Sequence, residues 1–209
     1  MKVQIEKTFP MPSSADVAWA LLKDIEAVAT CMPGAAITER SDATHYKGTV
    51  SVRVGPASMS FRGNVEVLSV DEATNTMRLL GKGTDNTGTS GASMDLTARV
   101  QASPSGAADA CELVGTSEVS MSGKAATFGG RMMGAVADQV LKQFAANFAI
   151  KAQVLQAQQA VVAALVSSPP AAAPAAMPAA PKELNGLALM WTVFTSWLRG
   201  IFQPNKKPD

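Results

Sequence analysis

Five stretches in the middle of the chain alternate apolar and polar residues with a period of two, and they constrain the fold most. They cover residues 46–54, 59–67, 77–83, 94–101 and 111–121. A period of two is that of a β-strand with one buried and one solvated face. Short segments rich in Gly, Pro, Asn and Asp separate the stretches, so successive strands are expected to pair antiparallel. The sequence therefore predicts an antiparallel sheet with one wet face.

A further strand and two helices are predicted before this sheet. Residues 2–9 alternate in the same way, and two prolines end the alternation. Ser13 or Ser14 can cap the amphipathic helix that follows. A second, short helix is predicted over residues 24–30, and a Pro-Gly turn leads from it into a short strand over residues 35–39.

A long helical pattern follows the strands, from residue 128 to about residue 165. Its apolar and charged residues separate onto opposite sides of a helical wheel. The apolar side carries Met133, Val136, Ala137, Val140 and Phe144, and the charged side carries Arg131, Asp138 and Lys142. A sheet that lies between such helices must curve around an enclosed space. We therefore predict an α+β fold whose curved antiparallel sheet and long C-terminal helix enclose an apolar cavity that holds a ligand.

Apolar side chains on the inward faces of the strands and helices line the predicted cavity. Methionine is frequent among them, and its flexible, polarizable side chain adapts to apolar ligands. Gly48, Gly63 and Gly115 on inward faces also favour an unfilled centre. Ordinary core packing gives the same pattern, so the residues leave both interpretations open. The candidate ligand residues are Trp19, Met59, Phe61, Leu79, Met94, Leu96, Met121, Met133, Val136, Val140 and Phe144.

The end of the chain differs in composition from the ligand-binding domain predicted over residues 1–166. Residues 167–181 are mainly Ala and Pro, which indicates an extended linker. The pattern of residues 182–209 predicts an amphipathic helix with a wide apolar face and a narrow polar strip, as in helices that lie in a membrane interface. The candidate membrane-binding residues are Leu187, Met190, Trp191, Phe194, Trp197, Leu198, Ile201 and Phe202.

Two other interpretations of this tail stay open. The apolar run has about 20 residues, which is marginally enough to span a bilayer. Arg199 and the continuous polar strip disfavour a simple span. The same apolar face also suits docking in the groove of a partner protein.

Residue types for common catalytic chemistry are sparse. His45 is the one histidine, and it begins a predicted strand, so we expect a surface or hydrogen-bonded residue. Tyr46 and Asp95 are the other acid/base candidates, and the three form no recognisable catalytic set. Cys31 and Cys111 lack metal-ligand spacing. We therefore predict a protein that is not an enzyme and has no metal site.

Charge and targeting signals restrict the partners. The net charge is +1, which excludes strong electrostatic steering of nucleic acid. The N-terminus lacks the apolar run of a secretion signal. The two cysteines form no disulfide framework, as is typical of a reducing compartment. We therefore expect the main domain to be cytoplasmic.

Several segments resemble the CoxG family of carbon monoxide dehydrogenase subunits. They are WALLKDIEAVATCMPGA at residues 19–35, YKGTVSVRVGP at 46–56, FRGNVEV at 61–67, GKGTDNTGTSGA at 81–92 and SGKAATFGGRMM at 122–133. The resemblance covers about residues 1–150, in the order expected of the family. The tail is similar to the extended, membrane-seeking ends that some members carry.

This resemblance implies the helix-grip fold of the START/Bet v1-like (SRPBCC) superfamily. It also implies an accessory protein of a molybdenum-containing carbon monoxide dehydrogenase or a related hydroxylase. Such a protein recruits the enzyme to the cytoplasmic side of the inner membrane. It binds a quinone, menaquinone or ubiquinone, as a non-covalent ligand and so connects the enzyme to the respiratory chain. Trp19, Arg62 or Gln139 would then contact the quinone ring.

Two alternatives to a quinone carrier remain. The chain could be a passive membrane-anchoring scaffold whose cavity is incidental or filled. It could also be a cyclase- or hydratase-type enzyme of the helix-grip fold, which would need an acid/base group inside the cavity.

Overall fold

The computed structural model describes residues 1–54 and 57–167, which form a seven-stranded antiparallel sheet and three α-helices. The strands are β1 (Lys2–Met11), β2 (Ala35–Arg40), β3 (His45–Val54), β4 (Ala57–Asp71), β5 (Thr76–Asp85), β6 (Ser90–Ala102) and β7 (Cys111–Gly123). The helices are α1 (Ala15–Lys23), α2 (Ile25–Cys31) and α3 (Gly129–Ser167), and a short 3₁₀ helix (Lys124–Phe128) precedes α3. This architecture confirms the predicted α+β fold of a curved sheet and a long C-terminal helix.

The strand order explains why two helices follow the first strand. The order is β1-β7-β6-β5-β4-β3-β2, so β2 to β7 each lie beside their neighbour in sequence. β1 pairs with β7 at the opposite edge, with Lys2 opposite Ser120 and Met11 opposite Cys111. The chain therefore crosses from one edge of the sheet to the other between β1 and β2, and α1 and α2 make this crossing.

Side-chain caps define the ends of α1 and α2. The Ser14 hydroxyl accepts a hydrogen bond from the backbone N–H of Val17 and caps α1. Asp24 follows the last residue of α1, and its carboxylate accepts from the N–H of Ala27 at the start of α2. Because Asp24 serves both helices, α1 and α2 meet at a sharp turn without an intervening loop.

The packed core lies where α1, α2 and the middle of α3 meet one end of the sheet. Ala18 in α1 and Phe148 and Ala152 in α3 are fully buried there. The core cluster consists of Met11, Val17, Ala18, Trp19, Leu21, Leu22, Ile25, Cys31, Tyr46, Met77, Leu79, Ala98, Val100, Cys111, Leu113, Phe144, Phe148 and Ala152. The two short helices therefore close one end of the inner face of the sheet.

Polar contacts hold α3 against α1 and α2 at this end. Asn147 Nδ2 donates to the carbonyl of Cys31 at 2.9 Å. Lys151 Nζ donates to Thr30 Oγ1 at 2.6 Å. Gln156 Oε1 accepts from the backbone N–H of Ser14, the N-cap residue of α1, at 2.7 Å. The first two bonds satisfy groups at the C-terminal end of α2, which lacks a basic residue of its own in the last turn.

β4 is longer than its alternation predicts because a bulge interrupts the pattern. The register to β5 shifts between Val67 and Ser69, so Leu68 drops out of the alternation. Leu68 is 42% exposed as a result. The period-two pattern therefore ends at Val67, whereas the strand continues to Asp71.

Gly63 in β4 is required by the close approach of β5. A Cβ at Gly63 would overlap the backbone carbonyl of Lys82. A Cβ at Gly81, also on the inner face, would make only ordinary contacts, the nearest being Met94 Cε at 3.5 Å.

We expect Gly63→Ala to lower the free energy of unfolding of the full chain by about 1–3 kcal/mol, because the two strands must move apart to admit the methyl group. Gly81→Ala is the matched control and should change it by less than about 0.5 kcal/mol. Urea unfolding followed by circular dichroism measures both variants. Equal losses of unfolding free energy in the two variants would contradict the conclusion that the close approach of β5 requires glycine at position 63.

Candidate ligand-binding site

The inner face of the sheet is the face that packs against the helices, and α3 crosses it. Residues of α3 spaced four apart form one row along this face: Val136, Val140, Phe144, Phe148 and Ala152. The first two are half-buried and the last three are buried. The start of α3 thus leaves apolar side chains partly accessible, and we call this part of the inner face the open half.

The strands beneath the open half carry small or flexible side chains. Ladder pairing places Gly63, Gly83, Ala92 and Met121 side by side from β4 to β7. Met94, one row closer to the core, is half-buried. Small residues leave room, and methionine side chains adapt their shape, so this surface can accommodate an apolar ligand.

The helix spans the sheet instead of lying along a single strand. The backbone of α3 comes close to both β1 and β3, which lie towards opposite edges. An ion pair adds to the contact with β1, since Lys7 Nζ lies 2.9 Å from Asp138 Oδ1. Lys7 shares its strand face with the apolar residues Val3 and Ile5. A lysine on an apolar inner face indicates that a carboxylate from another element pairs with it. The sequence did not identify that partner as Asp138.

The predicted ligand residues divide between the core and the open half. Trp19, Leu79 and Phe144 belong to the core cluster, and Leu96 packs against it. Phe61 is also buried. The half-buried members are Met59, Met94, Met121, Met133, Val136 and Val140. These half-buried residues, unlike the core members, are accessible to a ligand.

Trp19 is held in the core by a hydrogen bond that faces away from the open half. Its Nε1–H donates to Glu72 Oε2 at 2.6 Å. Lys23 Nζ lies 2.9 Å from the other carboxylate oxygen of Glu72. The hydrogen bond from Trp19, followed by that from Lys23, holds the pKa of the Glu72 carboxyl below its usual range. The polar edge of the indole is therefore already engaged and is not offered to a ligand.

Ser117 in β7 is a candidate that the sequence placed on the inner face without giving it a role. It lies between Leu96 of β6 and Ile5 of β1, at the border of the open half. It is 9% exposed, and its Oγ has no hydrogen-bond partner among the described residues. A buried polar group without a partner costs about 1–3 kcal/mol. The hydroxyl thus keeps an unused hydrogen-bond donor, which a ligand reaches only when the side chains that cover it move aside. In the sequence, its signal was a serine within an inward alternation.

The ring contact expected from Arg62 is wrong. Arg62 follows the buried Phe61 in β4, so period-two alternation directs it to the outer face of the sheet. There it lines a shallow groove of about 590 Å³ together with Lys82, Ser93 and other polar residues. Gln139 is exposed on α3.

The acid/base candidates do not come together. His45 is exposed, as expected, and its Nδ1 lies 2.9 Å from Asp42 Oδ2. Tyr46 is buried, and its hydroxyl donates to a loop carbonyl at 3.2 Å. Asp95 pairs with Arg78 at 2.7 Å on the outer face. Each group is engaged by a different partner, so these three residues do not assemble a catalytic site.

The predicted membrane-binding tail falls outside the described residues, and so does the linker apart from Ser167 at the end of α3. Within the described part of the chain, no helix combines the length and apolar character needed to cross a bilayer. The same residues contain no cluster of His, Cys, Asp or Glu that could hold a metal ion.

The curved sheet that grips a long C-terminal helix is the helix-grip fold of START/Bet v1-like proteins. A conserved protein from Geobacillus kaustophilus matches with a TM-score of 0.63 and 18% identity, over 72% of this chain and 95% of its own. A START superfamily protein from Mycobacterium smegmatis matches with a TM-score of 0.51 and 17% identity, over 73% and 98%. A Zhui aromatase/cyclase from a Streptomyces species matches with a TM-score of 0.52 and 17% identity, over 73% and 94%. At these identities the likeness shows the fold alone.

The family is shown by a separate comparison. The model of the CoxG family of carbon monoxide dehydrogenase subunits matches residues 8–153. The chain therefore belongs to the CoxG family, which confirms the resemblance in its sequence. None of the curated proteins compared with the chain matches it.

Proposed function

We propose that this CoxG-family chain is a non-catalytic accessory protein that holds a quinone on the open half of its inner face. The observation that carries the proposal is the buried, unpartnered hydroxyl of Ser117 beside half-buried apolar side chains. A quinone has the matching chemistry, because it joins a carbonyl-bearing ring to an apolar isoprenoid chain. In this proposal Ser117 donates to a carbonyl of the quinone ring. The isoprenoid chain of the quinone lies against Met94, Val136 and Val140.

The polar contact matters because apolar contact alone does not favour the protein over a membrane. Each buried methylene contributes about 0.8 kcal/mol relative to water. A quinone that leaves a bilayer, however, leaves a medium that is equally apolar. The hydrogen bond from Ser117 adds about 0.5–1.5 kcal/mol and also relieves the cost of the unpartnered hydroxyl. In this proposal the apolar side chains of the open half hold the isoprenoid chain, and the hydrogen bond from Ser117 makes the quinone prefer the protein to the membrane.

The family supports a partner for this carrier, because its description names a subunit of carbon monoxide dehydrogenase. We propose that the chain recruits a molybdenum-containing carbon monoxide dehydrogenase, or a related hydroxylase, to the cytoplasmic side of the inner membrane. The tail supplies the membrane contact, and the quinone connects the enzyme to the respiratory chain. A cyclase or hydratase is disfavoured, since His45, Tyr46 and Asp95 are engaged separately.

Ser117→Ala should weaken quinone binding and stabilise the empty protein at the same time. Loss of one hydrogen bond lowers the affinity for ubiquinone-2 by about two- to tenfold. Removal of the unpartnered hydroxyl raises the melting temperature of the quinone-free full chain by about 2–4 °C for each kcal/mol of that cost. Calorimetric titration and thermal unfolding measure the two effects. Ser120→Ala, on the outer side of the same strand, is the matched control and should change neither quantity. Unchanged affinity in Ser117→Ala would remove the main support for the ring contact.

A charge in the open half should abolish the binding of an apolar ligand. Val136→Glu places a carboxylate on this surface and is expected to lower the affinity for ubiquinone-2 by at least about tenfold, because the ligand would desolvate the charge. Met132 is 44% exposed on the same helix, so Met132→Glu is the matched control and should bind normally. Mass spectrometry of organic extracts from the purified full chain gives a second readout. If no quinone co-purifies and neither ubiquinone-2 nor menaquinone-2 binds, the scaffold alternative replaces the carrier.

The tail should bind membranes through its apolar face. We expect the double variant Trp191→Asp/Trp197→Asp to lose co-sedimentation with vesicles of phosphatidylcholine and phosphatidylglycerol, because the helix predicted from the sequence carries both indoles on its apolar face. Thr192→Asp/Ser196→Asp adds the same charge to the polar strip and should retain most binding. Alkaline carbonate releases a surface-bound helix but not a spanning one, so retention after this wash would contradict the surface location.

A further inference from the structure

A second groove, of about 390 Å³, runs between α2 and β2. Its walls are Glu26, Ala29 and Thr30 of α2 on one side and the residues of β2, Ala35 to Arg40, on the other. We call it the α2–β2 groove. It lies outside the open half and takes no part in the proposed quinone site.

One wall of this groove is an edge strand with available backbone groups. β2 is the last strand of the sheet and pairs only with β3 among the described strands. The carbonyl of Gly34 accepts from the N–H of Ser51 at 2.8 Å, which identifies these two opposed residues as a hydrogen-bonded pair. Because such pairs alternate along an antiparallel ladder, the N–H and C=O of Ile37 point away from β3. A free edge is a template for another strand, and the register shift between Ile37 and Glu39 limits this template to the residues up to Ile37.

The opposite wall leaves room for that strand. Glu26, Ala29 and Thr30 have the i, i+3, i+4 spacing of a single helical face. Ala29 and Thr30 are short, so the helix does not fill the space beside β2. A groove between a helix and a free strand edge is the geometry used by domains that bind extended peptides through main-chain hydrogen bonds.

The charges at the groove indicate which peptides it favours. Glu39 is paired with Lys47 at 2.9 Å. Arg40 donates from Nε to the carbonyl of Asp42 at 3.1 Å and lies over a tyrosine ring. Lys151 donates to Thr30 of the same wall at 2.6 Å, so the C-terminal end of α2 already carries a cation. Glu26, in the first turn of α2, is the lining carboxylate without an ion-pair partner among the described residues, and it can pair with a cation at that end of the groove.

From these contacts, we propose that the α2–β2 groove binds an extended segment of a partner protein as an additional strand on β2. The segment exchanges main-chain hydrogen bonds with Ile37, places small or apolar side chains in the groove at alternate positions, and carries a lysine or arginine that pairs with Glu26. The site is a protein-docking surface, and its occupation does not depend on the ligand of the inner face.

A synthetic peptide tests this proposal on the full chain. The probe is the hexapeptide Lys-Val-Ser-Val-Ser-Lys, which carries a cation at both ends and so presupposes no strand direction. Its N-methylated form has the same side chains but lacks the main-chain donors. The acidic form, Glu-Val-Ser-Val-Ser-Glu, reverses the charge. Fluorescence anisotropy measures binding, and amide hydrogen exchange reports which backbone groups are protected.

We expect the basic peptide to bind and to slow the exchange of the Ile37 amide. N-methylation should weaken binding by at least about tenfold, because main-chain bonds are lost. Glu26→Lys should weaken the binding of the basic peptide and strengthen that of the acidic peptide. Glu6→Lys makes the same charge change on the other edge strand and should alter neither affinity. Absence of binding at millimolar peptide, equal binding of the N-methylated form, or protection on β1 instead of β2 would overturn the proposal.

Discussion

The anchoring of α3 through its middle turns is the contact on which the rest of the structure depends. Phe148 and Ala152 are fully buried, and the ring of Phe144 packs at a tilt against that of Phe148, with ring centroids 5.8 Å apart. The helix has 39 residues, about 58 Å at 1.5 Å per residue, far longer than this anchor. Because these middle turns supply the stabilising burial, the N-terminal turns of the helix need not pack as tightly on the sheet. An open inner face follows from this division of the helix.

The sequence predicted the elements well and their meeting points poorly. Strand periodicity, the cap at Ser14 and the long helix are local properties, and each appears in the structure as expected. The bulge at Leu68 broke the alternation and hid the end of β4. The pair between Lys7 and Asp138 joins residues that are far apart in sequence. Such contacts depend on register and helix placement, which no local pattern encodes.

The candidate site shows the same limit at the level of single residues. Alternation placed Leu79 and Met94 on the same face, and both do face the helices. Only the docking of α1 and α2 decides that Leu79 is buried in the core whereas Met94 stays half-buried. Trp19 was an attractive ring contact from its position alone, but its indole N–H is engaged by Glu72. A pattern therefore identifies a face, and packing determines which part of it is accessible.

The inward glycines show how weak a single argument for a cavity can be. A Cβ at Gly48 would lie 2.7 Å from the carbonyl oxygen of Ala36, and one at Gly63 would overlap the backbone of β5. Both positions therefore need glycine for strand contacts, whatever fills the centre. Gly81 differs, because a Cβ there would make only ordinary contacts with Met94, the nearest at 3.5 Å. A methyl group would fit at Gly81 without backbone movement, and its absence leaves space directly beneath the open half. The case for a ligand thus rests on the residues that packing does not require to be small, together with the unpartnered hydroxyl of Ser117.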